Sequence, residues 1–137
     1  MRLKLFSIAL VFAFLFCPCF VYCQQLDATE MSIYFDASEV SMRALAAGQE
    51  EPPMADVAAQ HSLTEDKLED IMMRGWQIPL SSQEQTVAEE LKQKLSSPKG
   101  EKVTLADLDS MKQIAAERKM SFGQVCTIFV RMNSDLL

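Results

Sequence analysis

The stretch MADVAAQHSLTEDKLEDIMMR, residues 54–74, decides the fold, because it recurs without a gap as MKQIAAERKMSFGQVCTIFVR at residues 111–131. Met54/Met111, Ala58/Ala115, Ala59/Ala116, Ile71/Ile128 and Arg74/Arg131 are identical. Val57/Ile114, Leu63/Met120, Thr64/Ser121 and Leu68/Val125 are conservative. A helical hairpin needs this order: small alanines where two helices cross, an apolar turn residue, a hydroxyl cap, then apolar residues at i, i+3 and i+4. Capped amphipathic hairpins also resemble one another for physical reasons alone, so a shared pattern and a duplicated unit stand as alternatives.

Working outward, every other segment with a period reads as helix. Asp36 with Glu39 is placed to cap a helix that Gly48 closes, and Pro52-Pro53 separates it from the first hairpin. Thr64 caps the hairpin's second helix, with Gly75 as its stop. Ser81 with Glu84 starts a helix carrying Val87, Leu91 and Leu95, which ends at Ser97-Pro98. Thr104 starts a helix with Leu105, Leu108, Met111 and Ala115 facing inward, and Ser121 with Gln124 caps the last. No segment alternates like a strand. The expected fold class is all-α, with five or six short helices. Residues 36–137 form a single helical domain, read as two tandem three-helix units, 36–80 and 81–137. Residues 24–35, lacking a sustained period, are expected to be an extended or frayed lead-in.

The N-terminal segment addresses the chain. Arg2 and Lys4 precede an uncharged, almost wholly apolar run from Leu5 to Phe16, with Ser7 its one polar residue, and Pro18 breaks it six residues before the Cys23–Gln24 bond. That order is a secretory signal peptide over residues 1–23, with an uncleaved membrane anchor as the alternative. Cys17, Cys19 and Cys23 follow Phe16, Pro18 and Tyr22, whereas a lipid-modified cysteine follows a small residue. Cleavage removes three of the four cysteines and leaves Cys126, so the exported chain holds together by its core without a disulfide. Its location is expected to be periplasmic or secreted, or membrane-anchored with the domain outside.

At 137 residues, 49% apolar and 23% charged, the composition is that of one globular domain. The net charge is −6, and loss of Arg2 and Lys4 makes the chain more acidic still. Such a surface repels nucleic acid and anionic membranes.

Two resemblances attach to the hairpin. VAAQHSLTEDKLEDIM resembles the core of DNA-binding helix-turn-helix domains, with the alanine pair, the apolar turn and the capped second helix. DSMKQIAAERKMSFGQV is similar to the two-helix part of LysM-type wall-binding modules, and Ile78-Pro79 after Gly75 resembles such a module's end. The first implies a DNA partner, but Glu65, Asp66, Glu69 and Asp70 on the would-be recognition helix oppose phosphate, so no nucleic-acid partner is expected. The second implies a glycan ligand, on a chain that lacks the module's flanking strands and its Gly-Asp turn.

Residues for catalysis are few. His61, the only histidine, falls at a helix end, where it favours the terminus. Cys126 lies among apolar residues, where an inert buried thiol is the expectation. One histidine and one remaining cysteine make no spaced metal cluster. Met72 and Met73 are adjacent, but on a helix that faces the core. Trp76 is expected to pack back on Ile71 or Met72. No catalytic residue, cofactor or metal is therefore expected.

Comparison of the copies gives one sharper expectation. The second helix of the first copy has Glu65, Asp66, Glu69 and Asp70 on its outer face. The second copy has Phe122, Gly123, Cys126 and Thr127 there, and with Phe129 and Val130 its last helix is apolar almost all round. Such a helix is either central or meets a partner. Phe122, Cys126, Phe129 and Val130 are the candidate interface, for a protein partner or self-association. The expected function is a non-enzymatic, exported protein-interaction domain. The alternative is a small glycan-binding module of degenerate LysM type.

Overall fold

The computed structural model describes residues 25–98 and 102–133, so the expected signal peptide lies outside the described residues. Among them are six helices and no strand: α1 (Ala28–Ala46), α2 (Met54–Gln60), α3 (Glu65–Trp76), α4 (Ser82–Lys94), α5 (Leu105–Arg118) and α6 (Phe122–Met132). The fold is all-α.

The caps set the boundaries. Ser81/Glu84, Thr104/Asp107 and Ser121/Gln124 are reciprocal capping boxes, and Thr64 accepts from the Lys67 N–H. The lead-in expected over 24–35 is corrected. Asp27 accepts from the Glu30 N–H at 2.8 Å, Glu30 accepts from the Asp27 N–H at 3.2 Å, and α1 starts there. Asp36 lies inside the helix and is exposed. Gly75 does not stop α3 either. It is buried in the last turn under Tyr34, where a methyl group would lie 2.7 Å from the ring carbons.

Two clusters of buried side chains form. Ile33, Tyr34, Ala37, Val57, Ala58, Leu68 and Ile71 join α1, α2 and α3. Val87, Leu91, Leu108, Met111, Ile114, Val125, Ile128 and Phe129 join α4, α5 and α6, and Met42 of α1 enters this second cluster. The turns of the two hairpins share one geometry. Ser62 and Lys119 are left-handed, at φ 56° and 55°. The next N–H, of Leu63 or Met120, donates 2.9 Å to Ala58 O or Ala115 O.

Each cluster is also closed in the same way. Arg74, in the last full turn of α3, donates to Glu30 at 2.6 and 3.0 Å. Arg131, near the end of α6, donates to Glu84 and to the Ile78 carbonyl. Glu30 and Glu84 are both the third residues of capping boxes, on α1 and on α4. Each arginine thus ties the last helix of its trio to the first, and each glutamate serves two partners.

The trios are joined by α1, whose most extensive contact is with α6. At the crossing, Gly123 lies so close to α1 that a methyl group there would be 2.8 Å from the Phe35 carbonyl oxygen. The last helix is therefore the central one. Its neighbours α1, α4 and α5 enclose it, and Val125, Cys126, Thr127 and Ile128 are fully buried.

Candidate functional site

Two of the four residues expected at an interface leave the surface. Cys126 and Phe129 are buried inside the chain's own core, in the cluster that Met42 of α1 enters. Phe122 and Val130 are half-buried and pack against the same cluster. The Phe122 ring is already partnered, with the Arg43 guanidinium 5.1 Å and the Lys112 ammonium 5.8 Å from its centre.

The opening lies on the other trio. The outer side of α3 and the start of α2 enclose a groove of about 340 Å³ with Ser41 of α1 as one wall. Pro52, Met54, Leu68, Met72 and Trp76 make it apolar, and Glu65 and Glu69 stand on its rim. Its existence follows from the local sequence. Pro52 and Pro53 end the loop after α1, α2 has only seven residues, and so short a helix cannot cover the length of α3. Lining residues recur along α3 at 65, 68, 69, 72 and 76, which spans three helical turns, about 16 Å.

Trp76 packs on the first cluster, and its indole N–H has no hydrogen-bond partner among the described residues. A buried donor without a partner is unfavourable by about 1–3 kcal/mol. Met72 lines the groove, whereas Met73 is 46% exposed rather than core-facing. The two cations of α3 are turned away from the rim: Lys67 and Arg74 pair with Glu30 and Asp70. Glu30 is held down to about 2, chiefly by the Arg74 hydrogen bonds, against the opposing effect of burial. The rim is left to carboxylates.

The remaining residues singled out by sequence are dispersed. His61 ends α2 with Nε2 3.2 Å from the Asp36 carboxylate, within ion-pair distance but not aligned for a hydrogen bond. Burial pushes the Cys126 thiol far above its usual range. The structure does not bring His61 and Cys126 into one site: His61 ends α2 in the first trio, and Cys126 lies in the core of the second. A second depression, along α4 and Met132, is lined largely by Ser82, Gln85, Thr86, Glu89 and Lys92 and is more polar. No described helix is long and apolar enough to cross a membrane.

No family model, curated protein or solved structure matches the chain. The LysM-type resemblance is limited to the helical hairpin, since no strand flanks either hairpin among the described residues.

Proposed function

We propose that the chain is an exported, non-enzymatic protein-interaction domain that binds its partner through the groove on α2 and α3. The observation that carries this reading is the groove itself. It is a preformed apolar trough with a tryptophan, two methionines and a leucine on an otherwise acidic surface. Tryptophan and methionine are favoured at protein contacts, where the one brings a wide apolar face and the other an adaptable one. The reading places the partner on the first trio, away from the last helix. Export is supported by the order of Arg2, Lys4, the apolar run and Pro18, and an intact mass beginning at Gln24 tests it. The matched turns and the two arginine closures support a duplicated three-helix unit as the origin of the domain.

A glycan-binding reading draws on Trp76, because sugars stack on indole faces. It is weaker, since only Ser41, Glu65 and Glu69 offer side-chain polar groups in the groove, and a sugar ring needs many hydrogen bonds to replace its water. A photo-reactive residue at the position of Met73, one turn beyond Glu69, tests the choice in the producing cell. A discrete adduct with another protein, absent when the probe replaces exposed Leu105, is expected. No protein adduct, or equal adducts from both positions, contradicts the proposal.

A further inference from the structure

The groove has a counterpart in the second trio, and there it is occupied. Under the hairpin correspondence, Met54, Glu65, Leu68, Glu69 and Met72 correspond to Met111, Phe122, Val125, Cys126 and Phe129. These last five pack in the second cluster, and the helix that covers them is α1, with Met42 inserted among them and the Phe35 carbonyl against Gly123. One face of the hairpin is thus a helix seat, filled in the second trio and open in the first. We propose that the open seat on α3 receives a basic amphipathic helix of a partner protein, laid across α3 as α1 is laid across α6.

The chemistry of the occupant follows from the substitutions between the two seats. Gly123, which lets α1 approach closely, is replaced by Asp66, and Phe122 and Cys126, which pack in the cluster, are replaced by Glu65 and Glu69. The free seat is therefore apolar along its floor and anionic along its edge. A matching helix carries apolar residues at i, i+3, i+4 and i+7 for Leu68, Met72 and Trp76, flanked by lysine or arginine for the rim. Arg43 of α1 already lies over Phe122 at this edge of the occupied seat. A second copy of the chain fits poorly, because at −6 it brings more acid than base.

This inference rests on the reading of the groove as a protein-binding surface, and the experiment separates the two. The only tryptophan lies in the seat, so its emission reports occupancy directly. The protein recovered from cells is titrated with a synthetic Lys/Leu helix of the same length as α1, and with the same helix carrying Glu for Lys. The expected result is a saturable emission shift with the Lys peptide, about tenfold tighter than with the Glu peptide and weakened by salt. The double variant Glu65→Lys, Glu69→Lys, with an unchanged circular dichroism spectrum, reverses that preference. No shift, equal affinity for both peptides, or a preference unaltered by the double variant overturns the inference. So does self-association of the parent, seen by sedimentation and lost in the double variant, which assigns the seat to a second copy. If the peptides fail while a protein adduct forms from position 73, the helix inference falls and the interaction reading stands. If both fail, both fall.

Discussion

Replacing Gly123 by alanine tests whether α1 rests on α6. Gly123 is helical and its φ is unexceptional, so nothing in its own backbone requires glycine. On an open helix the change stabilises by about 0.5–1 kcal/mol through propensity alone. Here the new methyl group meets the Phe35 carbonyl oxygen at 2.8 Å and its carbon at 3.0 Å. Those atoms belong to the backbone of a 19-residue helix and cannot swing aside as a side-chain end does. Overpacking of this kind costs about 1–3 kcal/mol, so a net loss of about 1–2 kcal/mol remains after the propensity gain. Urea unfolding followed by far-ultraviolet circular dichroism reads it. With an m-value of about 1–2 kcal/mol per molar, the midpoint falls on the order of 1 M. Asp66→Ala, at the equivalent exposed position of α3, stays within about 0.5 kcal/mol. A Gly123→Ala protein more stable than its parent would refute the α1–α6 contact, and with it the idea of a filled seat.

Three further outcomes follow from named contacts. Phe122→Glu keeps the fold at a cost of about 1–2 kcal/mol, because the lost apolar burial is offset by Arg43 and Lys112 beside the new carboxylate; Cys126→Glu, fully buried, does not fold. A parent that self-associates and a Phe122→Glu variant that is monomeric and undiminished in stability would return the interface to α6. In a chain beginning at Gln24, the Cys126 thiol resists alkylation until urea unfolds the core; labelling at the native rate of a free thiol contradicts its burial. Glu30 is depressed from 4.5 to about 2 in the folded state, so its contribution to stability is whole above about pH 4.5 and fades as the pH falls towards 2. Glu30→Gln is accordingly less stable than the parent at pH 7, and the difference narrows across that window in urea melts; a constant difference contradicts the Arg74 closure.

What was legible in the sequence was local. The caps at Thr64, Ser81, Thr104 and Ser121, the prolines and the single-sided stripes of the hairpins each act within one helix or turn, and the helices from α2 to α6 follow from them. The first two turns of α1 were hidden because this helix has two partners. Ile33, Tyr34, Ala37, Ser38 and Met42 are buried on opposite sides, which removes the single stripe, while Asp36 and Glu39 imitate a cap inside it. The apolar circumference of α6 left two readings open, a central helix or one that meets a partner, because no local signal says which helix lies over it. The structure places it at the centre, with Met42 and Arg43 of α1 beside it. The comparison of copies did pick out a real difference in burial: the acids of α3 lie on an uncovered face, and the apolar residues at the equivalent positions of α6 lie under α1. The groove itself could not be read, since its walls come from α1, the Pro52 loop, α2 and α3.

The central claim is that the free face of the first hairpin is a seat for a helix. Amide chemical shifts of the labelled protein during titration with the Lys/Leu helix test it most directly. The account predicts that the perturbed amides cluster at Ser41, Met54 and along α3 from Glu65 to Trp76, with those of α4 and α6 unmoved. Perturbations centred on the polar depression of Ser82, Gln85, Lys92 and Met132, or spread evenly over the surface, would contradict it.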